Sequence, residues 1–218
     1  MLAHRGVLFL DELAEFRREV LDLLRQPLEE GELWIQRARH RSRFPCRITL
    51  VAATNPCPCG WHGDPERSCT CTVGQRRHYW GRLSGPLLDR IDLQVTLQRP
   101  DSEALAACYR PAAAAAVETT SVVRRRVEEA RHRMQHRNPG GCSNAQLDAA
   151  ALRRLQIIEE PALQLWEAAL RHRRLSARSG ERVLRLALTL ADLADAGRVG
   201  TGEIAEALTY RFLTGRSV

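Results

Sequence analysis

Lysine is missing from this sequence. All 33 basic residues among the 218 are arginines, so no Schiff-base lysine and no phosphate-gripping lysine can operate here. No uninterrupted apolar stretch reaches membrane-spanning length, so no membrane partner is expected. The opening MLAHRGVLFL has too short an apolar run for a secretory leader and meets carboxylates at once, which points to a cytoplasmic location. A disulfide framework is excluded in the same spirit. The seven cysteines are odd in number, and four of them fall within fifteen residues, the pattern of a metal or reduced-thiol site. No internal repeat is present.

What is there allows a real core: 44% of the residues are apolar, in a length suited to one large domain or two small ones. The net charge of +7 and a pI near 9.5 favour a polyanionic partner but say nothing about fold. The first part of the chain reads as α/β. Residues 7–10 and Ile48 to Ala53 are short apolar runs of the buried-strand kind. Between them the spacing predicts one helix over Glu15 to Leu28, closed by Pro27, and a hairpin formed by Leu33 to Arg39 and the run from Arg43. A loop rich in Cys, Gly and Pro follows, then a short basic helix over Gln75 to Arg82, a helical turn at Pro86 to Arg90 and a strand over Asp92 to Leu97. From residue 119 the pattern is all-α, with helices expected over 119–137, 144–156, 160–172, 178–196 and 201–213. The domain expectation is therefore 1–100 as an α/β unit and 101–218 as a helical one, the stretch 99–118 being helix and connector.

The stretch GVLFLDEL ends an apolar strand on two carboxylates, Asp11 and Glu12. One use of such a pair is phosphoryl transfer, in which the Asp holds Mg²⁺ and the Glu polarises an attacking water. The plainer reading is Asp11 as a helix N-cap. Asn55 in VAATNP also follows an apolar strand, and a parallel neighbour would set its amide beside the carboxylates; otherwise it is an Asn-Pro turn.

Two further clusters stand out. NPCPCGWHGDPERSCTCT carries Cys57-x-Cys59 and Cys69-x-Cys71, four thiols suited to a tetrahedral Zn²⁺, with His62 as a substitute ligand and four reduced thiols as the alternative. Arg37, Arg39, Arg41 and Arg43 alternate around His40, and alternation along one strand would set them on one face. Such a comb suits a phosphate backbone; a solvated hairpin face is the alternative.

HRGVLFLDEL, LLRQPLEEG, LVAATNPCPCG and RLSGPLLDRIDL resemble the Mg-chelatase-like AAA+ ATPases of the ComM/YifB type, and LSARSGERVLRLALTLADLA resembles their C-terminal helical domain. The resemblance runs in order over nearly the whole chain. It implies a partial AAA+ phosphate-loop NTPase core followed by a helical lid. It makes Asp11 and Glu12 the Walker B pair, Asn55 sensor 1 and Arg90 the arginine finger. Arg178 becomes sensor 2, with Arg182 one turn later as the other candidate. It also implies ATP and Mg²⁺ as ligands, a homo-oligomeric ring, hexameric in the complete protein, and DNA as the remodelled partner. Zinc in the cysteine loop, which other members lack, would be structural.

One departure is large. The family's phosphate loop, GxxxxGKS/T, does not occur, and without lysine it could not be completed. The chain is therefore expected to correspond to the C-terminal half of an ATPase (a truncated gene, a split gene or a cut piece) and to be inactive alone, with a strand edge left open. The rival readings are a non-enzymatic zinc-containing DNA-binding module and an inert fragment.

Overall fold

The computed structural model describes residues 2–37, 40–100, 102–107, 109 and 118–211. These form an α/β part with small sheets followed by an all-helical part, and the boundary between two compact units falls between Ile91 and Asp92.

The first unit begins with β1 (Val7–Leu10), which runs parallel to β4 (Thr49–Ala52) in the register Val7↔Thr49 to Leu10↔Ala52. Near-continuous apolar runs suit parallel strands. Burial is only partial, because the pair stands alone: Val7, Phe9 and Val51 are exposed.

The single helix expected over Glu15 to Leu28 does not form. A 3₁₀ turn (Leu13–Glu15) is followed by α1 (Arg18–Asp22) and α2 (Arg25–Glu30). Pro27 does not end a helix. It sits buried in the first turn of α2, where its missing N–H would have had no intrahelical partner. Gly31 closes α2 in the left-handed region, its N–H donating to the Pro27 carbonyl.

The hairpin is β2 (Glu32–Arg37) against β3 (His40–Pro45), antiparallel and separate from the β1–β4 pair. After the cysteine loop comes α3 (Val73–Gly81), opened by a reciprocal cap between Thr72 and Gln75, and then α4 (Gly85–Leu88). The core of this unit is small: Leu13, Ala14 and Leu21 meet Tyr79, Leu83, Leu87 and Leu88.

The second unit opens with a segment of no regular secondary structure. The strand expected at Asp92 to Leu97 is absent, since among the described residues it has no strand partner. The Gln94 N–H instead donates to the Tyr210 carbonyl at 2.7 Å. Next comes α5 (Ser102–Ala107); the alanine run from Ala112 to Ala116 lies outside the described residues. The remaining helices are α6 (Thr120–Arg137), α7 (Ala149–Leu155), α8 (Glu160–Arg173), α9 (Ala177–Leu193) and α10 (Thr201–Thr209). The helix expected over 144–156 is split because Asp148 caps a fresh start, accepting the Ala151 N–H at 2.6 Å, after a 3₁₀ turn at Asn144–Gln146.

α9 is the centre of this unit. It buries Val183, Leu184, Ala187, Leu188 and Ala191 in one core with Ile204, Ala207 and Leu208 of α10. A polar network pins α6 to it. Arg137 grips the buried Asp192 carboxylate through two nitrogens at 2.6 and 2.9 Å, and Asn144 donates to the same carboxylate at 2.8 Å. Gly180 lets α8 approach: an added Cβ would lie 2.7 Å from Leu170 Cδ2 and 3.2 Å from the Trp166 ring.

Candidate functional site

The parallel pairing decides where the polar strand ends go. Leu10 faces Ala52, the Ala53 N–H donates to the Leu10 carbonyl at 2.9 Å, and the Leu13 N–H donates to the Ala53 carbonyl at 2.8 Å. Asp11–Glu12 and Asn55 therefore leave the same carboxyl edge of neighbouring strands, about 4.8 Å apart in a sheet. All three are exposed.

Asp11 caps no helix. Its Oδ1 accepts the N–H of Glu12 at 2.9 Å, and the Leu13–Glu15 turn has no side-chain cap. Glu12 itself is held in the left-handed region at φ 50. Arg5, Gln156, Arg174 and Asp195 share that conformation; Gln156 and Arg174 close helices, where it is common, and Arg5 precedes β1. Glu12 closes nothing, and strained backbone of this kind concentrates at functional sites.

The three arginines singled out by sequence have different surroundings. Arg90, just past α4, donates to the Pro86 carbonyl at 2.6 Å and forms an ion pair with Glu29 of α2, leaving its side chain 12% exposed. Arg178 is exposed in the first turn of α9. Arg182, one turn on, is engaged by Asp92. Arg211, which no sequence pattern marks, is buried; it donates to Ser179 Oγ at 2.9 Å and to the Asp92 carbonyl at 3.5 Å. Arg182 and Arg211 thus fasten the start of the second unit to α9.

The four loop cysteines converge. Their sulfurs lie within 4.8 Å of one another, with Cys57 to Cys59 at 3.3 Å, Cys57 to Cys69 at 3.7 Å and Cys59 to Cys69 at 3.6 Å. Four sulfurs at the usual Zn–S length stand about 3.8 Å apart, so the donor set fits a tetrahedral soft-metal site. His62 is not part of the group. Burial pushes the Cys57 thiol up and the Cys71 thiol up to about 12. The Trp61 N–H brings Cys59 down to about 5. The loop is braced by Asp64, which accepts the N–H groups of Glu66 and Arg67 at 2.9 and 2.8 Å.

The arginine comb is not on one strand. Arg37 ends β2 and pairs with His40, Arg41 and Arg43 belong to β3, and Arg39 lies outside the described residues. Register pairs Trp34 with Arg43 and Gln36 with Arg41, so these four share one face. Arg41 stacks over the Trp34 ring at 4.2 Å, and Arg43 forms an ion pair with Glu32. That pairing holds the Glu32 carboxyl below its ordinary value. An open cleft of about 400 Å³ beside α3 is lined by Glu15, His78 and Arg82 among others, and includes none of Asp11, Glu12 or Asn55. No helix among the described residues is long and apolar enough to cross a membrane.

Comparison with known proteins converges on one family. The model of the family described as magnesium chelatase, subunit ChlI, matches residues 1–105, and that of the ChlI C-terminal region matches residues 117–211. An uncharacterized protein of Mycobacterium tuberculosis is 43% identical over 211 residues, covering 96% of this chain and 40% of that protein. The uncharacterized protein YifB of Escherichia coli and the competence protein ComM of Haemophilus influenzae are each 39% identical over the same coverage. The chain spans about 40% of the length of these curated relatives.

Proposed function

The chain belongs to the magnesium chelatase ChlI-like family that includes YifB and ComM, and from that premise we propose that it supplies the Walker B-to-lid portion of a cytoplasmic AAA+ ATPase. Residues 1–100 serve as part of the ATPase core and 101–218 as the lid. The observation that carries the reading is the shared carboxyl edge of β1 and β4, with two exposed carboxylates on one strand end and an exposed amide on the next. Ligands of open α/β sheets bind at such edges.

In this reading Asp11 holds Mg²⁺, a hard cation that takes carboxylate oxygens and waters. The ion neutralises developing phosphate charge. Glu12 polarises the attacking water and Asn55 orients it. Arg90 reaches the nucleotide of the next subunit in a homo-oligomeric, hexameric ring, and Arg178 of the lid contacts the phosphates. Arg182 is the second lid candidate, though Asp92 already engages it. A forked, permanently charged guanidinium suits both roles. ATP hydrolysis drives remodelling of DNA, which meets the hairpin face of Arg41 and Arg43, with Arg37 and Arg39 as the further proposed contacts. A structural Zn²⁺ sits in Cys57, Cys59, Cys69 and Cys71. With no phosphate loop in its sequence, this chain alone binds ATP weakly and does not turn it over.

The test is complementation in trans. The chain is mixed with a family subunit that keeps its phosphate loop but has lost its own finger. ATPase activity should rise, by up to about 10³-fold or more for a restored finger, and the rise should vanish with Arg90→Ala. No gain from a chain that shows cooperative unfolding, or a gain that survives Arg90→Ala, would refute the proposed finger.

A further inference from the structure

Asn55 has no side-chain hydrogen-bond partner among the described residues, so its aim is inherited from its backbone. That backbone is gripped on both sides by consecutive residues of one helix. Before Asn55, the Thr54 hydroxyl lies 3.2 Å from the Tyr79 hydroxyl. After it, the Pro56 carbonyl accepts the Trp80 Nε1–H at 2.9 Å. The two rings stand edge to face at 89°; Tyr79 is 3% exposed in the core, while the Trp80–Pro56 bond lies at the surface and is oriented by that ring contact.

The helix that supplies this grip is itself tied to the cysteine cluster. Cys71 immediately precedes Thr72, the N-cap of α3, and Arg76 Nη1 donates to the Cys71 carbonyl at 2.8 Å. Cys57 lies two residues after Asn55. One pair of sulfurs is therefore attached to the end of β4 and the other to the start of α3. Beyond the far end of α3, Arg82 donates to the Ala14 carbonyl and to the Glu15 carboxylate, each at 2.8 Å. That turn directly follows Asp11 and Glu12. The helix thus holds the residues on either side of Asn55, the residue that caps its far end holds the turn after Asp11–Glu12, and its origin is set where four sulfurs meet.

We infer that the cysteine centre and α3 form a positioning unit for Asn55, with Tyr79 and Trp80 as positioning residues: zinc held by Cys57, Cys59, Cys69 and Cys71 fixes α3, and α3 fixes the amide. This assigns the cluster a task at the polar edge beyond stabilising its own loop. It rests on the proposed zinc site and on the proposed role of Asn55, yet its geometry is tested without ATP turnover.

The experiment follows side-chain amide resonances of the ¹⁵N-labelled, zinc-loaded 218-residue chain, with the Asn55 signal assigned by its loss in Asn55→Asp. Asn138 and Asn144 of the helical unit, both buried, serve as internal references. Removing zinc with a chelator should shift and broaden the Asn55 amide and leave both references in place. Trp80→Phe keeps an aromatic ring but lacks the N–H donor; it should displace the same resonance while zinc content stays at one per chain. Tyr79→Phe should act in the same direction. An Asn55 amide unmoved by chelation, or unmoved in Trp80→Phe, overturns the inference. A chain that takes up no zinc overturns its metal half and the zinc reading together. Failure of complementation through Arg90, by contrast, strikes the ATPase reading and leaves these resonances as expected.

Discussion

The two units of this chain solve the problem of polar groups in opposite ways. In the helical unit a charged network is inside and paired: Asp192 is 1% exposed and takes hydrogen bonds from Arg137 and Asn144 around a continuous apolar core. In the α/β unit the core is small, Val7, Phe9 and Val51 of β1 and β4 are exposed, and Asp11, Glu12 and Asn55 stand exposed at a strand edge. The helical unit is held by packing. The α/β unit depends more on discrete ties, namely the hydrogen bonds of α3 and the four converging sulfurs. A satisfied buried network favours one rigid arrangement. An exposed polar edge is free to meet a ligand.

That contrast predicts where each unit breaks. Zinc withdrawal has the largest expected effect, since structural zinc in small domains contributes on the order of 10 kcal/mol. Chelation should lower the unfolding temperature of the residues up to Ile91 well below that of the helical unit, so that heating gives two separate transitions. Both units melting together, at an unchanged temperature, would erase the distinction. Cys57→Ser with Cys59→Ser should mimic chelation.

Asp192→Ala attacks the other side. It removes the carboxylate from the Arg137 guanidinium, which keeps Asn138 and Asn144 as partners, so the cost should lie below the ~3–5 kcal/mol of a fully buried broken pair. Denaturant unfolding followed by helicity should register the loss while zinc content stays constant. Gly180→Val is the next smaller. Its side chain would collide with Leu170 and Trp166, and overpacking costs about 1–3 kcal/mol. An unchanged midpoint would mean that α8 and α9 can separate freely there.

The smallest effect concerns the hairpin. Glu32→Gln frees Arg43, so DNA affinity should rise and the salt slope should steepen by about 0.9, the value of one added phosphate contact. The pH dependence has a defined sign. The Arg43 hydrogen bond lowers the Glu32 carboxyl below its ordinary 4.5. Any stability from the pair is therefore fully present above that value and lost as pH falls through the depressed one. A stability difference between the wild type and Glu32→Gln that has already vanished at about pH 5 would contradict the pairing.

The sequence made the edge legible for a physical reason. Apolar runs such as VLFL and ITLVA end abruptly on polar residues, and parallel pairing then brings residues 44 positions apart in the chain to one edge. The long helices from residue 120 onward were legible from their periodicity. Period alone misled at Leu93, Val95 and Leu97, which alternate like a strand; alternation reports extended backbone, not the presence of a partner. It misled again at the arginine comb, because Arg37 belongs to β2 whereas Arg41 and Arg43 belong to the antiparallel β3, and a single strand would have aligned them. Nothing local marks Arg211, Arg182 or Asp192 as tied. Their partners lie 32, 90 and 55 residues away, and sequence spacing carries no signal over that range.

The Glu29–Arg90 pair has a consequence for any anion that recruits Arg90. The guanidinium already has a carboxylate, so an incoming phosphate does not neutralise a bare cation but displaces Glu29 from it. Such a swap leaves the number of ion pairs unchanged. Its equilibrium is set by the difference between two acceptors rather than by the strength of either. Added salt, which weakens both arms, shifts that balance less than it would shift simple association.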